Sequence, residues 1–97
     1  MVQNICTLLI HAGEKKIIFE KPFALCRIFF SITVMTSPAE WYETKISFDD
    51  PQFRSFYVLD GSARYFEAKG EDIFQGNIWL YNTSDLPLLC SSAEILC

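Results

Sequence analysis

Phe23–Thr36 reads FALCRIFFSITVMT, and from Ile28 onward it alternates. Ile28, Phe30, Ile32 and Val34 fall on one side of an extended chain, and Phe29, Ser31, Thr33 and Met35 on the other. A period of two in β-branched and aromatic residues is the pattern of a β-strand. The second side is itself half apolar, so this strand is expected to be central in its sheet and partly covered on both faces.

Outward from this spine the same reading repeats. Upstream, Val2–His11 and Lys16–Glu20 are short apolar runs separated by Ala12-Gly13-Glu14, a turn sequence in which glycine supplies the backbone angles other residues avoid. Pro22 has no N–H to donate and closes the second run. Downstream, Ser37-Pro38-Ala39-Glu40 is a break that also suits a single helical turn. Trp41–Phe48 alternates again, with Tyr42, Thr44, Ile46 and Phe48 on one side and Trp41, Glu43, Lys45 and Ser47 on the other. After the turn at Asp49–Gln52 come Phe53–Leu59 and Arg64–Ala68, read as a hairpin around Asp60-Gly61-Ser62. Ile78–Thr83, with Trp79 and Tyr81 on one face, and Leu88–Leu96 complete the set. About eight strands with turns every eight to twelve residues indicate an all-β sandwich or barrel. The expected fold is one domain over 1–97, a small eight-stranded antiparallel sandwich of jelly-roll type, with an up-and-down barrel as the alternative.

The totals narrow the function classes. The 97 residues are 51% hydrophobic and 15% aromatic, with nine Phe, four Tyr and two Trp. That is a large apolar load for one small core. The surplus is expected on the surface, where a contiguous apolar patch marks an interface. The net charge is −4 and the eight basic residues are scattered, so no basic stripe follows a nucleic-acid backbone and no polybasic patch meets an anionic membrane. The start, Met1-Val2-Gln3-Asn4, lacks the basic region of an export signal, and the longest apolar run is too short to cross a bilayer as a helix. A chain kept inside the cell is expected to hold Cys6, Cys26, Cys90 and Cys97 as reduced thiols, with Cys6 and Cys26 acting as small hydrophobes.

Candidate chemistry is sparse. His11 is the only histidine and no C-x-x-C pair exists, so metal sites built on several His or Cys ligands are not expected, and no cofactor is. The acids Asp49, Asp50, Asp60, Glu71 and Asp72 sit in turns, where Asp is an ordinary turn former, and their spacing departs from the calcium-loop pattern. No convergent set of acids, nucleophile and base is present, so no enzymatic activity is expected. Asn82-Thr83-Ser84 matches a glycosylation acceptor but reads better as the polar turn after a strand. The remaining candidates are Trp41, Trp79 and Tyr81, aromatics beside polar neighbours and expected to point outward. They suit a subunit interface. A core edge and a platform for stacking sugars are the alternatives.

The opening Ile5-Cys6-Thr7-Leu8-Leu9-Ile10, the long strand Arg27–Met35 and the closing segments Gly76–Asn82 and Leu88–Leu96 form a pattern that resembles the small all-β accessory virion proteins of tailed bacteriophages, the capsid cement or decoration proteins and head-fibre or knob subunits. The resemblance lies in the strand pattern over most of the chain. It implies a structural protein located in the virion and made in the host cytoplasm. It also implies a homo-oligomer, with a trimer favoured, whose partner is the major capsid protein or another virion protein. A glycan-binding, host-recognition module is the alternative.

Overall fold

The spine becomes a strand because its even-numbered side chains have a core to enter: Phe30, Ile32 and Val34 are all buried. A computed structural model describes residues 2–21, 26–35, 42–61, 64–69 and 76–97. The described residues form eight strands: β1 (Val2–Ile10), β2 (Lys15–Phe19), β3 (Arg27–Val34), β4 (Glu43–Phe48), β5 (Tyr57–Asp60), β6 (Tyr65–Lys69), β7 (Ile78–Asn82) and β8 (Leu88–Leu96). They make two antiparallel sheets. Sheet A has the order β1-β8-β3-β6 and sheet B the order β2-β7-β4-β5. Successive strands β1 to β6 cross between the sheets, apart from the pair β4-β5, and the last two strands insert between earlier ones. This is the two-sheet jelly-roll wiring, and it replaces the up-and-down barrel alternative. As expected from its sequence, β3 is central, flanked by β8 and β6.

The core lies between the sheets. Ile10, Phe30, Ile32, Val34, Leu88 and Cys90 enter it from sheet A; Phe19, Ile46, Leu59, Ile78 and Leu80 enter from sheet B. Phe30 is its hub, with ring centroids 6.3 Å from Phe19, 5.3 Å from Phe48 and 5.8 Å from Phe66. These tilted and edge-on contacts are the preferred aromatic geometries.

Four sequence expectations change in the structure. First, Ile28 is 38% exposed rather than inward. A register shift between Arg27 and Phe29 against β8 inserts one extra residue, so parity reverses and Arg27 turns inward. There Arg27 Nε donates to Glu94 Oε2 at 2.7 Å, Nη1 to Gly76 O at 2.9 Å and Nη2 to Glu20 O at 3.1 Å. Asn4 Nδ2 donates to the other Glu94 oxygen at 3.1 Å, so the buried carboxylate is satisfied at both ends.

Second, β5 and β6 are not a hairpin. β5 pairs with β4 in sheet B and β6 with β3 in sheet A, so the chain changes sheet after Asp60. Third, Phe53–Phe56 is loop rather than strand. Asp50 accepts from Gln52 N at 3.0 Å and Arg54 N at 2.8 Å, and Phe53 takes a left-handed φ of 52°, which ends any extended run. Fourth, Cys26 and Cys97 form a disulfide, and Cys6 is exposed. The register explains the pairing: Arg27 lies opposite Leu96, which brings the flanking cysteines side by side with a Cα separation of 5.5 Å. The helical turn expected near Ser37-Pro38 lies outside the described residues.

Candidate functional site

Two hollows on the described surface are both open to solvent. A cleft of about 150 Å³ opens between the edges of β5 and β6, lined by Phe48, Tyr57, Phe66, Glu67 and Ala68. That is below the roughly 300 Å³ at which ligand pockets begin. A more polar hollow of about 340 Å³ is lined by Glu43, Thr83, Ser84, Asp85 and Leu86, and Thr83 Oγ1 already engages Glu43 Oε1 at 2.8 Å. Among the described residues no group of three or more His, Cys, Asp and Glu is arranged to hold a metal, and no helix is long and apolar enough to cross a membrane. His11 is exposed just after β1, where its backbone N–H donates to Glu14 Oε1 at 3.0 Å. Asn82 is buried: its Nδ2 donates to Ile10 O and Leu86 O, so the amide of the acceptor-like motif organises the turn after β7. What remains is surface, and the two sheets present different surfaces.

On sheet B the register aligns Ile17, Trp79 and Ser47 in one row and Lys15, Tyr81, Lys45 and Val58 in the next. Trp79 and Tyr81 therefore lie on the outer face, as their alternation indicated, but both are only partly exposed. The Asp49–Phe56 loop folds back over this face. Ser47 Oγ donates to Asp50 O at 2.6 Å, and Phe53 is buried with its ring 5.5 Å from Tyr81. Lys15 Nζ lies 5.0 Å from the Tyr81 ring centre and Lys45 Nζ 4.4 Å from that of Phe56, so cations occupy the rings. Trp79 Nε1 is buried without a hydrogen-bond partner in the described structure. Burial pushes the Asp50 carboxyl up, but the Arg54 and Gln52 N–H groups and the Arg54 charge outweigh it and hold the carboxyl below its ordinary range. The loop is thus fastened by a charged acceptor. Trp41, the third sequence candidate, lies outside the described residues.

Sheet A is different. Its outer face has one row of Gln3, Ile95, Phe29 and Lys69, and a second of Ile5, Ala93, Ser31 and Glu67. The third row is Thr7, Ser91, Thr33 and Tyr65, and Leu9 and Leu89 begin the fourth, beside Met35. Among the described residues of these rows the charges are Glu67 and Lys69, both on the β6 edge. Ile5 is 69% exposed, Tyr65 53%, Met35 52% and Leu9 45%. Four strands roughly 4.8 Å apart, with same-face residues roughly 6.7 Å apart, make a patch on the order of 500 Å². Roughly half of that face is apolar, from Ile5, Leu9, Phe29, Met35, Leu89 and Ile95, and the Thr7-Ser91-Thr33 row with Glu67 and Lys69 makes up much of the rest; exposed apolar groups gathered on one face often mark an interaction site. The sequence reading looked for interface residues among the aromatics and passed over this face. Its signal was the absence of charge throughout Val2–Ile10.

Fold and surface together define a small jelly-roll sandwich in which a loop lies over part of one outer face, around Tyr81, while the other carries its described charges only at the β6 edge. The chain matches no protein-family model and no curated protein sequence.

Proposed function

We propose that this protein is a structural interaction protein, a jelly-roll subunit that associates with copies of itself and binds a viral shell as a cement, decoration or fibre subunit. The observation that carries this reading is the outer face of sheet A, whose described charges lie only on the β6 edge, with Ile5, Leu9 and Met35 standing in solvent. The fold adds an argument by analogy, since jelly rolls are recurrent in capsid and lectin domains. The mechanism is binding alone: apolar area and backbone edges meet a partner, and repetition over a lattice multiplies a modest single contact. On this reading the partner is a major capsid or other virion protein, the location is the virion, and no catalytic step is involved. The glycan-binding alternative would use the sheet-B aromatics, but Lys15 and Phe53 already pack against Tyr81.

The test is quantitative mass spectrometry of purified virus particles from the source of the sequence. The reading expects the chain in the particle at a copy number that is a multiple matching the shell's symmetry. Absence from the particles, combined with specific retention on a glycan array, would replace it with the glycan reading.

A further inference from the structure

We propose that the free edge of β1 pairs antiparallel with β1 of a second copy, across a two-fold axis at Cys6, so that the two A sheets join into one continuous sheet. The inference rests on the self-association reading above and names its surface.

β1 is an edge strand: among the described residues it pairs with β8 on one side and with nothing on the other. Proteins protect such edges with charges, prolines, bulges or short strands. The other three edges have such protection: β2 begins Lys15-Lys16 and is five residues long, β5 is four residues long and ends in Asp60, and β6 carries Glu67 and Lys69. β1 has none of these. It runs nine residues, VQNICTLLI, without a charge or proline, in unbroken register with β8. A chain of net charge −4 repels its own copies; β1 contributes no charge of its own to its edge, and the charge that reaches it is the cation of Lys16.

The hydrogen-bond phase fixes how they would pair. Leu89 O accepts from Met35 N at 2.7 Å and so points toward β3. Its partner Leu9 is therefore a position of the β1–β8 pair that is not hydrogen-bonded, and Leu9 directs its own N–H and C=O to the free edge. Lys16 Nζ reaches Leu9 O there at 3.3 Å, consistent with that direction, and this exposed side chain would have to release it. Gln3, Ile5 and Thr7 share the phase of Leu9. An antiparallel partner must place odd residues opposite odd residues, and full overlap of Val2–Ile10 is reached only with Cys6 opposite Cys6. Gln3 then faces Leu9 and Ile5 faces Thr7, giving about eight intermolecular backbone hydrogen bonds. Val2, 44% exposed, comes to lie beside Ile10 of the second copy. The Cys6 pair falls at a position that is not hydrogen-bonded, with a Cα separation of about 4.5 Å, inside the roughly 4.4–6.8 Å range of a disulfide. The association is two-fold, in contrast to the three-fold implied by the phage resemblance.

The experiment treats the purified full chain at high micromolar concentration with diamide, which takes two electrons and two protons from a thiol pair and becomes the hydrazine. Non-reducing electrophoresis should show a band at twice the 11.2 kDa chain mass that is lost in Cys6→Ser. Thr7→Pro removes an N–H that points to the free edge and spares the bonds to β8, so its circular dichroism should be unchanged while, in a background that keeps Cys6, cross-linking slows at least about tenfold. Should Thr7→Pro not fold, Thr7→Lys serves, adding the missing edge charge. No Cys6-dependent band, or equal rates in wild type and the Thr7 variants, overturns the proposal. Particle binding by a chain that does not cross-link would leave the functional reading standing without this pairing. Cross-linking by a chain absent from particles would do the reverse.

Discussion

Sheet A and sheet B contribute about equally to one core, yet their outer faces follow opposite rules. Sheet B carries its large aromatics at Trp79 and Tyr81, packs Phe53 of the Asp49–Phe56 loop against Tyr81 and sets lysines over the rings of Tyr81 and Phe56. Sheet A carries smaller and more neutral side chains, and no described loop covers them; Ile5 alone is 69% exposed. The difference teaches that aromatic content by itself does not locate an interface. A large ring beside a positive-φ loop is readily covered within its own subunit, whereas a modest aliphatic face with its charges confined to one edge and no described cover stays available to a partner.

The contrast can be attacked from the core outward. Phe30→Ala should cost about 3–5 kcal/mol, because it empties the hub between the sheets and removes one ring contact each from Phe19, Phe48 and Phe66; denaturant unfolding measures it. Arg27→Ala should approach the same size, since it strands the buried Glu94 carboxylate. Trp79→Ala decides between the faces. If its face is closed, stability falls by about 2 kcal/mol while self-association is unchanged. Association lost with the fold intact would move the interface to sheet B. Leu9→Lys is the converse on sheet A: a stability change within about 0.5 kcal/mol, as at ordinary surface positions, with association lost.

Two smaller effects sharpen the picture. Burial pushes the Cys90 thiol up to about 11, whereas Cys6 is exposed, so a thiol reagent at neutral pH should label Cys6 in the folded chain and Cys90 only on unfolding. Asp50→Asn should loosen only the loop over sheet B, read as faster amide exchange at Gln52 and Arg54. Because the Asp50 carboxyl lies below its usual 3.8 in the folded chain, its contribution is complete at neutral pH and is lost as the pH falls below that value.

The alternation of Phe30, Ile32 and Val34, the centrality of β3, the count of eight strands and the all-β class were legible because each follows from local period and turn chemistry; the choice of jelly roll over barrel was not, because it is set by which strands pair. What escaped depends on pairing. Ile28 looks inward until β8 imposes a bulge beside it, and only then does Arg27 become the inward residue. Phe53–Leu59 alternates like a strand, but Asp50 captures two backbone N–H groups and turns the chain at Phe53. Asp60-Gly61 suits a hairpin, yet its flanking strands find partners in different sheets. The outward placement of Trp79 and Tyr81 was readable from parity; the loop that packs Phe53 against Tyr81 was not, because covering is a long-range event.

The central claim is that the open side of sheet A, with the β1 edge, is where this molecule meets its own copies. Solution mass by light scattering over a wide concentration series tests it most directly. The account predicts a mass that starts at the 11.2 kDa of one chain on dilution and rises toward twice that value, as expected of an edge-paired contact smaller than a standard interface. A mass that stays at one chain to the limit of solubility would contradict it.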